Sequence, residues 1–413
     1  MANITPFPAI RPPAEKAAAI SSPPYDVMSR TEAENMAADN PLSFLHITRS
    51  EIDLPRDCDP YSREVYNKAR ENYDALKKTA PLIRDDAPAY YVYTLEVDGH
   101  RQTGIAATVA VQDYRDNVVL KHEKTRRQKE ADRTNHILAT GAQTGPIFLT
   151  YRDRATIDRI VEKTIDSTAP VADFNADDGV RNTVWKVPPG DTSELQQQFN
   201  DLPVLYIADG HHRAASAARV ATQIANQKGE LEADDPAANF LAVIFPSSQL
   251  RILPYNRVVN DLNGLTPESF RAKLREAGFT VEKTSAKQPS EPRRICMYLE
   301  NQWYMLRYKG DLTSCSPAKA LDVAVLQREV LEPILSISDP RVNERIDFVG
   351  GIRGPEALEK RVNTGEAEVA FSMYPTTVQQ LMDVSDANEM MPPKSTWFEP
   401  KLRDGLLIHE IAD

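Results

Sequence analysis

Apolar and polar positions follow two different periods along the chain, and these periods predict a mixture of helices and strands. Between residues 61 and 78, apolar or aromatic side chains recur every three or four positions, as on one face of an α-helix. Residues 90–97 and 104–114 alternate as strands do, and Asp98-Gly99 marks a hairpin turn somewhat longer than the tightest kind. The same criteria predict helices at 130–140, 155–165 and 212–227, and strands at 146–151, 183–187, 204–208, 240–245 and 251–259, the last two as a pair.

The pattern changes character after residue 266. A hairpin is predicted over 295–308 and a last strand over 406–411. The remaining helices are predicted at 267–277, 321–335, 355–363 and 377–391, and the remaining strands at 345–351 and 369–373. The chain is therefore predicted to be mixed α/β or α+β, with a region 1–262 followed by a C-terminal α+β region 263–413.

Length and composition narrow the class of protein. A chain of 413 residues with 41% hydrophobic residues is long enough for two or three domains with substantial cores. No apolar run approaches the roughly eighteen residues of a membrane span, and the first thirteen residues lack the pattern of a secretory signal. Three cysteines without CxxC spacing argue against a disulfide framework, so we expect a cytoplasmic protein that does not contact a membrane.

The net charge of −11 bears on the choice of partner. Contacts to phosphates supply most of the non-specific affinity of proteins for duplex nucleic acid, and such contacts need a basic surface. We therefore expect no nucleic-acid partner. A local basic pocket for one small anion, such as a nucleotide, remains compatible with this charge.

The run Asp209-Gly210-His211-His212-Arg213 lies where a predicted strand becomes a predicted helix. The first amides of a helix have no intrahelical partner and carry partial positive charge, which makes this junction an anion site. Gly210 lets the backbone approach a ligand closely, the next three side chains add donors and charge, and Asp209 is a candidate Mg²⁺ ligand. Alternatively, Asp209 only caps the helix and the basic side chains are solvated.

A second polar cluster, residues 121–133, follows a predicted strand that ends near Leu120. Glu123 is a candidate base for an attacking hydroxyl, and Arg126 and Arg133 are candidate partners of phosphate or carboxylate groups. The alternative is a solvated loop and helix start. Because the two clusters are far apart in sequence, their meeting in space is a hypothesis.

Two more residues are candidates outside these clusters. Asp26 ends the run Pro23-Pro24-Tyr25-Asp26 and is a candidate to lie near a substrate amine. The same run is equally typical of a turn set by its prolines. Lys394 follows another proline pair and is a candidate for a nucleotide phosphate, although the glycine frame of a P-loop is missing.

The pattern of strand, Asp-Gly-His-His-Arg and helix, preceded by His122-Glu123 and arginines, resembles the free serine kinases of the ParB/sulfiredoxin superfamily. Nearly the whole chain also resembles a bacterial family known only as a domain of unknown function. The motifs that carry this second resemblance are Pro24-Tyr25-Asp26-Val27, Asn40-Pro41 with His46, His122-Glu123-Lys124-Thr125, Ala208 to Arg213, Arg345-Ile346-Asp347-Phe348 and Met391-Pro392-Pro393-Lys394-Ser395-Thr396.

The resemblance to serine kinases implies a ParB/sulfiredoxin-like core with a mixed sheet and a reaction that uses ATP and Mg²⁺. Glu123 then matches the carboxylate that activates the serine hydroxyl, and residues 209–213 match the phosphate and metal loop. In this assignment Glu123, Asp209 and His211 are catalytic. Gly210, His211, His212, Arg213, Arg126 and Lys394 bind the nucleotide. His122, Arg133 and Asp26 bind the substrate, and Asp209 holds the metal.

We therefore expect a kinase that transfers the γ-phosphate of ATP to free L-serine or a similar small hydroxyl compound. A homodimer is the candidate assembly, and the sequence leaves the oligomeric state open. One alternative is a ParB-like regulator that binds CTP or ATP without transferring phosphate. A second alternative is a metal-dependent hydrolase, although adjacent histidines point in different directions and are poor ligands of one zinc. Sulfiredoxin chemistry is disfavoured because residues 209–213 include no cysteine.

Overall fold

The computed structural model describes residues 1–411, which divide into two compact units. The first unit comprises residues 1–121, 125–250 and 400–411, and the second comprises residues 122–124 and 251–399. The sequence analysis placed one division between residues 262 and 263. In the structure the second unit begins at Arg251, and the last residues of the chain belong to the first unit.

The strands are short at both ends of the chain and longer in between. In chain order they are β1 Ile4–Thr5, β2 Ile10–Arg11, β3 Ile83–Arg84, β4 Tyr91–Val97, β5 His100–Ala110, β6 Val119–Leu120, β7 Ala142–Gln143, β8 Ile147–Tyr151, β9 Ala172–Asn175, β10 Arg181–Lys186, β11 Leu205–Asp209, β12 Asn239–Pro246, β13 Ile252–Leu253, β14 Tyr255–Val259, β15 Phe279–Lys283, β16 Arg294–Leu299, β17 Gln302–Tyr308, β18 Ile346–Gly350, β19 Val369–Met373, β20 Trp397–Phe398 and β21 His409–Glu410.

The helices range from single turns to five turns. They are α1 Ala17–Ile20, α2 Arg30–Ala37, α3 Leu45–Thr48, α4 Arg63–Thr79, α5 Val111–Arg115, α6 Arg127–Thr140, α7 Ala155–Ser167, α8 Pro189–Asn200, α9 His211–Lys228, α10 Pro267–Glu276, α11 Pro317–Ala320, α12 Asp322–Leu326, α13 Glu356–Asn363 and α14 Val378–Asp386. Short 3₁₀ turns cover Ala14–Lys16, Ser50–Asp53, Pro236–Ala238, Ser247–Gln249 and Gly351–Arg353, and a π-helical turn covers Gln327–Leu331.

The first unit is built on one mixed sheet in the order β6-β11-β8-β12-β5-β4-β10-β9, with β1 paired to the far end of β5. β11 runs parallel to β6, and β12 runs parallel to β8, while the other pairs are antiparallel. Alternate residues of each strand face one core, as the pleat requires; β8, for example, contributes Ile147, Leu149 and Tyr151. Apolar positions of α7, α8 and α9 pack against the same core.

The second unit is built on a six-stranded antiparallel sheet in the order β15-β17-β16-β19-β14-β18. Its core combines Val258, Cys296 and Trp303 of the sheet with Leu358 of α13. The β16–β17 hairpin turns at Glu300 and Asn301, which both have positive φ angles, as the two-residue turns that match strand twist require.

The predicted mixed α/β class with a mixed sheet is confirmed, and most predicted elements appear within a few residues of their predicted ends. The ParB/sulfiredoxin assignment stays a prediction. The structure describes no helix that has both the length and the apolar character needed to cross a membrane.

Several element predictions were wrong in ways that have a physical reason. The Asp98-Gly99 turn is the tightest kind, because Val97 pairs directly with His100 and both turn residues have positive φ angles. The strand predicted over 104–114 ends at Ala110, and residues 111–115 form a helical turn. Periodicity alone does not separate such short apolar segments.

Strand pairing across the two units was also wrong. The strands predicted at 240–245 and 251–259 do not pair, because β12 lies between β5 and β8 in the first unit whereas β14 joins β18 and β19 in the second. The helix predicted over 377–391 ends at Asp386, and only His409 and Glu410 of the predicted last strand are paired.

Candidate active site

The junction between β11 and α9 is a one-residue turn. The pairing of β11 with β8 shifts between Ile207 and Asp209, and Gly210 then adopts φ 94° and ψ 30°. The carboxylate of Asp209 accepts the N–H of Gly210 at 2.8 Å, and the first helical hydrogen bond runs from Ala214 N–H to the carbonyl of Gly210 at 3.0 Å. No side chain caps α9 at this glycine, so its first amides point out of the helix end.

Gly210 is required at this junction for two independent reasons. Its positive φ is in the left-handed region, which side chains disfavour. A Cβ atom would also lie only 3.0 Å from Nε and 3.2 Å from Cζ of Arg213. The guanidinium of Arg213 therefore folds back over the turn that precedes its own helix.

Asp209 is held by a lysine that the sequence analysis did not identify. Lys401 Nζ lies 2.7 Å from the Asp209 carboxylate, although the two residues are 192 positions apart. Burial alone would raise the pKa of Asp209, but the charges of Lys401 and Arg213 hold that pKa well below its usual range. Asp209 is therefore a carboxylate at any physiological pH.

Asp209 is suited to bind Mg²⁺ as a single carboxylate ligand, with phosphate oxygens and water as the other ligands. Mg²⁺ in nucleotide enzymes is usually bound by one or two carboxylates together with phosphates and water. A carboxylate has about four lone-pair directions, and Lys401 and the Gly210 amide use two of them. Asp209 thus has acceptor capacity left for a cation that phosphate groups also hold.

The two histidines of the motif point to different places. His211 is buried in the first turn of α9. His212 Nε2 accepts the N–H of Arg126 at 3.0 Å and so serves the start of α6, whose own N-cap residue makes no side-chain cap. A ring nitrogen that accepts a hydrogen bond carries no proton, so His212 is neutral in this arrangement.

The second polar cluster is divided between the units. Residues 122–124 belong to the second unit, where the carbonyl of His122 accepts the N–H of Met391 at 2.8 Å. Arg126 and Arg133 belong to the first unit, and the Arg126 side chain is exposed. The meeting of His122 and Glu123 with residues 209–213 stays a prediction.

Arg133 and Arg213 line one cleft of the first unit, and this cleft is partly open to solvent. The Cζ atom of Arg133 lies 4.0 Å from the centroid of the Tyr25 ring, and its guanidinium pairs with Asp132 at 3.0 Å. Arg213 donates to the carbonyl of Pro146. Tyr25, Thr144, Gly145 and Asp404 are among the other residues that line the cleft.

Asp404 reaches this cleft from the end of the chain. Its backbone pairs with that of Ser22 through hydrogen bonds of 2.9 and 3.1 Å, and its side chain is buried. Burial raises the pKa of Asp404 to about 7, against the opposing effect of Arg213. The sequence analysis missed Asp404, although a charged pair at Arg403-Asp404 inside an apolar run was a usable signal. Asp26, by contrast, is exposed.

Lys394 belongs to the second unit, beside a buried arginine that the sequence analysis also missed. Arg257 donates to the carbonyl of Lys394 at 3.1 Å and to the carbonyl of Tyr255. The Lys394 ammonium lies 5.4 Å from the centroid of the Tyr255 ring. The described residues include no carboxylate that pairs with Arg257.

The comparisons with known proteins give a family. The family model described as "Protein of unknown function (DUF1015)" matches residues 4–324. No curated protein matches the chain.

Several solved structures resemble the chain at low identity. A free serine kinase in complex with AMP is 14% identical, with coverage of 72% of this chain and 90% of that one and a TM-score of 0.37. A conserved hypothetical protein from Pyrococcus furiosus is 14% identical, with coverage of 72% and 94% and a TM-score of 0.35. SbnI with a C-terminal truncation, from Staphylococcus aureus, is 13% identical, with coverage of 71% and 82% and a TM-score of 0.38.

Proposed function

The chain belongs to the DUF1015 family, and we propose that it is a kinase that transfers the γ-phosphate of ATP to the hydroxyl of free L-serine or a similar small hydroxyl compound. The observation that carries this proposal is the start of α9, where Lys401 pairs with the ionised Asp209 and the charge of Arg213 also acts on it. Enzymes that transfer phosphoryl groups work chiefly by positioning and by stabilising negative charge. This junction offers both.

The phosphate groups of the nucleotide are assigned to this junction. The amides of the first turn and the side chains of His211 and Arg213 donate to phosphate oxygens, while Gly210 lets the phosphates approach the backbone. Asp209 would hold Mg²⁺, which neutralises phosphate charge when bound. We assign Arg126, His212 and Lys394 to the nucleotide on the basis of the sequence motifs alone.

Glu123 is the proposed acceptor of the proton from the attacking hydroxyl. Glu123 precedes Arg126 by three positions, and the N–H of Arg126 donates to His212. Because a chain advances at most about 3.6 Å per residue, the backbone of Glu123 stays within about 11 Å of that of Arg126. We assign the substrate to His122, Arg133 and Asp26, of which Arg133 lines the cleft that it shares with Arg213.

The test is a product assay on the full chain. Purified protein is incubated with ATP, Mg²⁺ and L-serine, and O-phosphoserine and ADP are measured. We expect phosphoserine to form, and we expect Glu123→Gln to lower the rate by about 10²- to 10⁴-fold, as loss of a general base does. Glu15→Gln, at an exposed glutamate of the first unit, is the matched control and keeps the wild-type rate.

The same preparation separates the proposal from its rivals. Absence of phosphorylated product with serine, threonine, homoserine and other small hydroxyl compounds contradicts the kinase. Binding of CTP in preference to ATP, without transfer, supports a nucleotide-binding regulator instead. Stoichiometric zinc in the purified protein together with a hydrolysed product supports a metal-dependent hydrolase.

A further inference from the structure

The cleft of the first unit is lined by a buried carboxylate, one oxygen of which has no hydrogen-bond partner. Asp404 is 2% exposed, and its Oδ1 atom makes no hydrogen bond. No lysine, arginine or histidine among residues 1–411 forms an ion pair with it. Buried carboxylates are normally paired or hydrogen-bonded, because leaving one without a partner costs free energy.

A positively charged side chain that also has a buried atom without a hydrogen bond lines the same cleft. Arg213 lines the cleft, and its Nε atom is buried and makes no hydrogen bond. Arg213 and Arg133 are the positive groups that act on Asp404 through space, yet neither is in contact with it. Asp404 and Arg213 therefore line the same cleft without forming an ion pair with each other, and each has one buried polar atom that makes no hydrogen bond.

We propose that this space binds the zwitterionic part of an α-amino acid, with the ammonium group on Asp404 and the carboxylate on Arg213 and Arg133. The inference deepens the proposed function, on which it rests for the reaction that the bound amino acid undergoes. A zwitterion has the two charges that the cleft leaves unpaired, with opposite signs. A ligand with only one of these charges leaves either Asp404 or Arg213 buried and unpaired.

The local geometry fixes the position of the Asp404 carboxylate. The backbone of Asp404 is tied to Ser22 on one side, and Gly145 lies directly against Oδ1 on the other, where a Cβ atom would collide with it. Gly145 does not have a positive φ angle, so an alanine is compatible with its backbone. Gly145→Ala therefore displaces the carboxylate without removing its charge.

The chain segment that supplies Asp404 lies outside the part that the family model matches. The match to the family model ends at residue 324. Residues 400–411 belong to the first unit, where Lys401 pairs with Asp209 and Asp404 lines the cleft. Recognition of the ammonium group is thereby assigned to Asp404, a residue of this segment that the proposed function did not use.

The experiment measures binding to the full chain by calorimetry without nucleotide. The ligands are L-serine, 3-hydroxypropanoate, which lacks the amine, and ethanolamine, which lacks the carboxylate. We expect L-serine to bind at least about tenfold more tightly than either analogue, because a hydrogen bond to a charged group is worth roughly that factor. Asp404→Asn and Gly145→Ala should weaken L-serine binding by a similar factor and leave 3-hydroxypropanoate binding unchanged.

Asp116→Asn, at an exposed aspartate of the first unit, is the control variant and keeps wild-type binding. Equal binding of serine and its two analogues by the wild type, or wild-type serine affinity in both cleft variants, overturns the inference, and the unpaired atoms are then satisfied by water. If Asp404→Asn does not fold, Gly145→Ala and the ligand series on the wild type decide. Phosphoserine formation with an unchanged KM for serine in Asp404→Asn leaves the kinase standing and refutes the Asp404 site. Selective binding of the zwitterion without any phosphoryl transfer supports the Asp404 site and contradicts the kinase.

Discussion

Each unit of the molecule contains an arginine with buried polar atoms, and the two arginines have different surroundings. In the first unit the carboxylates of Asp26, Asp209 and Asp404 act on Arg213 and raise its pKa, although burial opposes them. In the second unit Arg257 is 2% exposed and donates to two backbone carbonyls, and burial lowers its pKa to about 10. Only the first arginine is balanced by negative charge.

This difference distinguishes an arginine whose hydrogen bonds go to backbone carbonyls from the arginine that we assign to the proposed site. Backbone carbonyls satisfy the hydrogen bonds of Arg257 and fix the loop that carries Lys394. Arg213 belongs to a set of opposite charges that pair only in part, because Asp209 forms an ion pair with Lys401 whereas Oδ1 of Asp404 makes no hydrogen bond. Incomplete pairing of buried charge is expensive, and a bound ligand of matching charge offsets that cost.

The largest expected effect comes from removing each arginine. Arg213→Met leaves Asp209 and Asp404 with less compensating charge, so we expect the free energy of unfolding to fall by about 3–4 kcal/mol. Arg257→Met removes a buried charge that has no acidic partner and loses only hydrogen bonds to carbonyls, so we expect a fall of about 1 kcal/mol. Urea denaturation of both variants measures the difference, and an equal fall in both contradicts the comparison.

The individual helices and strands were more predictable from the sequence than the pairing of the strands. α9 was predicted from residues 212–227 because alanine-rich helical sequence without breakers is a strong local signal. The error that mattered was the pairing of β12 with β14, since periodicity reports that a strand exists and says nothing about its neighbour. The sequence also did not predict that residues 400–411 belong to the first unit, because their packing against that unit has no local sequence signature.

The candidate site divides in the same way. The strand-to-helix junction at Gly210 was predictable because glycine, charge and a helix start lie within five residues. Lys401 and Asp404 were not predictable, because Asp209, which pairs with Lys401, and Arg213, whose charge acts on Asp404, are nearly two hundred positions away in the sequence. Local motifs therefore located the proposed phosphate site, and only the tertiary structure revealed the charges that complete its surroundings.

A second, smaller effect is a pH dependence carried by Asp404. Its pKa is raised from 3.8 to about 7 by burial, with Asp26 adding to the shift and Arg133, Arg213 and a backbone hydrogen bond from Tyr25 opposing it. The folded state thus keeps the proton while the unfolded state loses it, so wild-type stability falls as pH rises from about 4 to about 7. Asp404→Asn removes this fall in stability with pH, because asparagine does not titrate.

The measurement is the stability difference between Asp404→Asn and wild type at several pH values. Between pH 5 and pH 8 we expect the difference to move in favour of the variant by about 2–3 kcal/mol. Asp322 of the second unit is the comparison, since burial raises its pKa only to about 6 against hydrogen bonds from the Arg293 amide. The gain in Asp322→Asn should therefore be complete near pH 6, and identical profiles for the two variants would refute the contrast.

The smallest expected effect tests how closely Arg213 packs over the helix start. Gly210 and Gly365 both have positive φ angles, 94° and 78°, but a Cβ atom on Gly365 would meet nothing within 4 Å, whereas one on Gly210 would press on Arg213. Gly365→Ala should cost about 1 kcal/mol of unfolding free energy, from backbone conformation alone. Gly210→Ala should cost about 1 kcal/mol more, because the crowded guanidinium must also move away from Asp209 and the cleft. Equal costs for the two variants would mean that the Arg213 side chain moves without a loss of free energy. That outcome would contradict the view that the first unit holds this positive charge in a fixed position.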